Sequence, residues 1–175
     1  MKSGNCNKIF LTAAGGILTG LSYLFMLPYT AWFCLVPLFF ILEGAKLKQS
    51  FFYSLAYGAI AAFILFYWVI PVAERYSGRF TLHSLLFYAG AILYYSLYSA
   101  LFGSGYRFLH RYSCNSILSG VSVSGFYVLL EYLRLSLFQG MPWFHYNLAV
   151  TQAQNDWAIQ WTSIGGLYIV IFIIV

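Results

Sequence analysis

Residues 51–70 carry not one charged side chain, and the run ends only at Pro71. Similar apolar stretches recur along the chain at 9–27, 31–42 (interrupted by Pro37), 82–102, 117–133 and 161–175. A helix needs about 20 apolar residues to cross the hydrocarbon core of a bilayer. A water-soluble domain has no way to hide this many such runs. It would need roughly 25% charged residues to cover itself, and this chain has 7%. Lipid must therefore be the solvent, and in lipid every backbone N–H and C=O has to be paired within a helix or a closed barrel. The runs are continuous and lack the strict alternation of barrel strands. The expectation is an all-α, polytopic transmembrane helix bundle of about six segments. No linker, repeat or low-complexity stretch divides residues 1–175, so they read as one domain.

The short second run, 31–42, is expected to be tilted, kinked or partly interfacial, and residues 28–30 to form a turn. The last run, 161–175, is shorter than a full span and has no polar flank. It is expected to be a sixth helix cut short, in a chain that forms the front part of a longer protein. The first run is too long for a signal-peptide core and precedes no small-residue cleavage pattern, so it reads as a retained helix.

The net charge of +5 comes from cations placed singly or in pairs between apolar runs. That pattern speaks for membrane topology and against nucleic acid as a partner. With the N-terminus in the cytoplasm, Lys2, Lys8, Lys46, Lys48, Arg107 and Arg111 lie inside, and Arg75, Arg79 and Arg134 outside. The excess of cations inside obeys the positive-inside rule, and the inverted arrangement breaks it. Segments 74–81 and 131–160 are then expected on the outer face, which in a bacterium is the periplasmic side.

Chemistry-bearing residues are few. Cys6, Cys34 and Cys114 are far apart and odd in number, which gives no metal-type pair and no complete disulfide set. Cys34 and Cys114 read as small apolar residues in or near helices. His83, His110 and His145 share no ligand spacing. No nucleophile stands beside a base, and no phosphate loop or zinc signature is present. No catalytic residue, metal or cofactor is expected in this chain. The Tyr-rich stretch around Tyr88, Tyr94, Tyr95 and Tyr98 reads as packing and interface anchoring.

The informative stretch is 131–160, too apolar for a free loop and too broken by Gly140 and Pro142 for a helix. It suits the membrane surface, where its rings lie at headgroup level and its backbone reaches water. Glu131 and Arg134, three apart, share a helix face and can pair. Such a pair is either a structural cap or, at membrane depth, the mark of a substrate path. Gly140 and Pro142 make a bend that holds the Trp143 indole, either as an interfacial anchor or as a wall for an acyl chain.

Several motifs occur in a telling order: Leu27-Pro28-Tyr29 with Trp32 and Val36-Pro37-Leu38; Phe66-Tyr67-Trp68-Val69; Tyr94-Tyr95 through Phe102; Glu131-x-x-Arg134; Phe138-x-Gly140-x-Pro142-Trp143; Asn147 through Gln152; and Gly165-Gly166-x-Tyr168. In this the chain resembles the N-terminal membrane domain of bacterial apolipoprotein N-acyltransferases. It departs from them in a slightly longer stretch between Trp143 and Gln152, and in Ile169, where the family has glycine.

The resemblance implies a multi-pass protein of the bacterial cytoplasmic membrane. Its partners are a phospholipid acyl donor, a diacylated apolipoprotein and membrane lipid. It also implies a two-step transfer: a cysteine takes the acyl chain as a thioester, and the α-amine of diacylglyceryl-cysteine accepts it. The implied Glu-Lys-Cys set belongs to a nitrilase-like domain and has no counterpart among these residues. This chain is then the membrane anchor and lipid entry, inactive alone. Glu131, Arg134, Gly140, Pro142, Trp143 and Gln152 are implied as substrate-facing or hinge positions. Two other readings are a complete small non-catalytic membrane protein that binds a lipid or solute, and a partner of a separately encoded hydrolase-like domain.

Overall fold

A computed structural model of the chain describes residues 3–77, 82–112, 115–137 and 146–175. Among these there is no strand, and eight helices account for most of them. They are α1 (Ser3–Leu24), α2 (Pro28–Ala31), α3 (Val36–Leu42), α4 (Leu47–Leu65), α5 (Val69–Ser77), α6 (Leu82–Tyr112), α7 (Ser116–Leu137) and α8 (Asp156–Ile174), with a short 3-10 turn over Val150–Gln152. Each of the six predicted apolar runs is helical over most of its length, and the fold is an all-α membrane bundle. Helices α6, α7 and α8 are each long and apolar enough to cross a bilayer, and α4 with α5 makes a fourth span if that bent pair is taken as one.

The boundaries differ from expectation for physical reasons. Residues 28–30 are helical rather than a turn, because Pro28 sits in the first turn of α2, where a missing N–H costs nothing. Pro37 likewise opens α3 instead of kinking a longer helix. Pro71 does not end the third run either. The helix breaks earlier, after Leu65, and resumes as α5 at an angle of 49° with Pro71 inside its first turn. Helix α6 runs ten residues beyond Phe102, so Arg107 and Arg111 are helical. Helix α7 continues through Arg134 to Leu137, and α8 starts at Asp156 rather than Trp161. Residues 131–137 and 156–160, expected to be non-helical, are thus helical.

Helix α4 lies at the centre, parallel to α1 and antiparallel to α6. Lipid tails are as apolar as leucine, so helices in a membrane associate through close packing rather than exclusion of water. The α4–α6 seam follows that rule. Ser50, Ser54 and Gly58 of α4 face Gly103, Ser99 and Ser96 of α6. A Cβ placed on Gly58 would come within 3.0 Å of the Ser96 Cα, so only glycine lets the backbones approach this closely. The outward faces carry Phe10, Phe52, Phe63 and Phe108, each more than half exposed. In water such a surface would be untenable, and against acyl chains it is ordinary.

Candidate functional site

The last turns of α7 carry Glu131 and Arg134, spaced to lie on one face. The structure brings them together at 2.5 Å (Arg134 Nη2 to Glu131 Oε2) and buries both, leaving 1% and 4% exposed. Burial of a charge is tolerable only when it is paired and its remaining hydrogen-bonding capacity is used. Here that capacity is met from two directions. Tyr98, on α6, donates its hydroxyl to Glu131 Oε1 at 2.7 Å. Arg134 Nη2 also donates to the Tyr146 carbonyl at 2.6 Å, and its guanidinium carbon lies 5.5 Å from the Tyr98 ring centroid. Tyr98 is therefore a member of the ionic cluster as well as a packing residue. Around it, Tyr95, Tyr98 and Tyr127 pack edge to face or tilted.

Beyond Tyr146 the chain is held to the bundle at a second point. Asn147 Oδ1 accepts from the Val150 N–H at 3.1 Å, which shapes the turn into Val150–Gln152. Gln152, 2% exposed, spends its amide on the first hairpin: Nε2 donates to the Pro28 carbonyl at 2.8 Å, and Oε1 accepts from the Trp32 indole at 3.3 Å. Asn155 Nδ2 donates to the same oxygen at 3.1 Å. Two side chains far apart in sequence, Arg134 and Gln152, thus fasten one segment to α7 and to α2. Gly140, Pro142, Trp143 and His145 lie outside the described residues. Tyr146 is partly buried, which pushes its phenol above the ordinary range.

Beside this cluster is a hollow. A cavity of about 510 Å³ opens between α5 and α6, lined by Phe66, Trp68, Val69, Val72, Phe87 and Ala91 among others. Phe66 links it to the polar cluster, with its ring 6.3 Å from Tyr95 and 6.4 Å from Tyr146. The cavity exists because the chain bends between Leu65 and Val69 and swings α5 off the axis of α4. Read from the sequence as one apolar run closed by Pro71, residues 51–70 give no sign of it in their hydropathy. The adjacent aromatics Phe66, Tyr67 and Trp68 were the available signal.

Among the described residues, no group of three potential metal ligands occurs. Cys34 lies in the turn between α2 and α3, fully buried, with its thiol donated to the Ala31 carbonyl at 3.1 Å. His110 shares a hydrogen bond with Ser119 at 3.0 Å, far from Glu131 along α6 and α7.

Known proteins give this arrangement a context. The family model described as the apolipoprotein N-acyltransferase N-terminal domain matches residues 15–175. Apolipoprotein N-acyltransferase 1 of Treponema denticola is 33% identical over 110 residues, covering 54% of this chain and 20% of the relative. Apolipoprotein N-acyltransferase of Thermotoga maritima is 28% identical over 130 residues, covering 73% of this chain and 26% of the relative. The matched region thus spans about a fifth to a quarter of these relatives' length. No solved structure matches the chain significantly. With the family model matched across nearly its full length, this chain belongs to the apolipoprotein N-acyltransferase family, as its N-terminal domain.

Proposed function

We propose that this domain anchors a lipoprotein N-acyltransferase in the bacterial cytoplasmic membrane, with its N-terminus in the cytoplasm. It admits two substrates sideways from the outer leaflet, a phospholipid acyl donor and a diacylated apolipoprotein. One observation carries this reading: the cavity between α5 and α6. Its volume falls within the range of ordinary ligand pockets, about 300–1,000 Å³. Its walls are almost wholly apolar. An acyl chain passing from lipid into such walls leaves one hydrocarbon surroundings for another and meets little barrier either way. A headgroup would not share that ease, so the cavity selects for the tail.

The bond-making step belongs to a nitrilase-like domain carrying Glu, Lys and Cys. Cys34, the cysteine whose side chain is described, offers no substitute, since it is sealed from solvent. Glu131, Arg134 and Gln152 act as hinge and positioning residues. Gly140, Pro142 and Trp143, in the segment between Arg134 and Gln152, are the residues assigned to contact with substrate.

The test is Val72→Trp in a form that carries the catalytic domain. Val72 lines the cavity and is 39% exposed, so a larger ring narrows the entry without entering the core. Acyl transfer to a diacylated lipopeptide should show a KM for phospholipid raised about tenfold, with membrane insertion unchanged. A phospholipid bearing a photoreactive tail should crosslink to α5 or α6 in the parent protein and less in the variant. Unchanged KM together with no crosslink would remove the cavity from the transfer path.

A further inference from the structure

The opposite end of the bundle concentrates positive charge. Lys46 and Lys48 start α4, where the helix dipole already presents its positive pole and the first turn contains no acid. The antiparallel α6 brings its basic end to the same level: Gly103 packs against Ser50, and Arg107 and Arg111 follow one and two turns later. Lys8 of α1 sits 5.9 Å from the Tyr53 ring centroid. Among the described residues, none of these cations forms an ion pair, and Glu43 is the single carboxylate nearby.

The patch has a built frame. Gly44 turns the chain between α3 and α4, and Tyr106 stacks on Phe39 of α3 at 5.4 Å and on His110 at 5.7 Å. Directly beside the cations, Leu47, Phe52 and Phe108 are exposed apolar side chains. Unneutralised charge next to exposed hydrocarbon matches a molecule with an anionic head and apolar tails.

We propose that this end seats an anionic phospholipid of the leaflet it faces, its phosphate held by Lys46, Lys48 and Arg107 and its tails laid along Leu47, Phe52 and Phe108. The lipid here is a structural ligand at the far end from the substrate cavity. The inference is independent of the transfer reading and survives or fails without it.

The test uses the purified chain in neutral detergent and native mass spectrometry with phosphatidylglycerol or phosphatidylcholine of identical tails. Phosphatidylglycerol should be retained about tenfold more tightly, with the preference lost in Lys46→Gln/Lys48→Gln/Arg107→Gln and kept in Arg75→Gln at the other end. Should the triple variant lose helical circular dichroism, Lys48→Glu alone, at an exposed position, must still weaken the preference. Equal retention of both lipids, or a preference that survives these changes, overturns the proposal. Displacement of the bound lipid by millimolar glycerol phosphate also overturns it, since the site would then serve free phosphate.

Discussion

At the scale of the residue, the Glu131–Arg134 pair sets the terms. Each partner is nearly inaccessible and each is committed to the other. Removing one leaves an uncompensated charge in apolar surroundings, while replacing both by apolar groups of similar shape removes the problem with its solution. Arg134→Met alone should therefore destabilise the protein by about 3 kcal/mol. The combined Glu131→Gln/Arg134→Met change should cost clearly less than the sum of the two single changes. Thermal unfolding in detergent measures the cycle, and strict additivity would mean that the two side chains do not act as a unit. The pairing was legible from the i, i+3 spacing. The depth of burial was not, because the third and fourth partners, Tyr98 and the Tyr146 carbonyl, come from other parts of the chain. Gln152 was marked only through motif order. Nothing local to it announces Pro28 and Trp32 as partners.

At the scale of the element, breaks matter more than runs. Helix α8 is interrupted at Gly165 and Gly166, where Gly166 has φ 64° and ψ −162°. That conformation is essentially reserved for glycine and costs other residues about 1–3 kcal/mol. A break frees carbonyls that lipid cannot satisfy. Just before it, Thr162 and Ser163 donate their hydroxyls to the Ile159 and Gln160 carbonyls at 2.6 and 2.7 Å. Gly166→Ala should straighten α8. Spin labels at Trp157 and Ile173 would then report a longer, narrower distance distribution than in the parent, and an unchanged distribution would show that the bend is imposed by packing. The glycine pair was visible in the sequence, whereas the direction of the bend depends on α7, whose Tyr132 ring meets Tyr168 at 5.9 Å. The α4–α5 bend has no glycine to mark it, and a count of apolar residues passes straight over it.

At the scale of the whole molecule, the two ends differ in kind. One carries unpaired cations; the other carries a paired, buried charge cluster beside an apolar cavity. With the N-terminus in the cytoplasm, a cysteine placed at Lys48 should react with a membrane-impermeant maleimide only after the cells are opened, and one placed at Asp156 should react in intact spheroplasts. The reverse pattern would invert the topology and place the cavity in the inner leaflet, against the proposed function. The purified 175-residue chain should transfer no acyl group to a diacylated lipopeptide. Measurable N-acylation by this chain would overturn the assignment of the bond-making step to another domain.

Solvent choice, helical class and family membership were all readable along the chain, because each depends on local composition, on run length or on motif order. Backbone pairing in lipid leaves so few options that a scarcity of charge is enough to select among them. The cavity, the four-part charge cluster and the clasp between Gln152 and the first hairpin were not readable that way. Each depends on side chains brought together by packing from positions tens of residues apart, and no periodicity within a single segment encodes which partner arrives from the next.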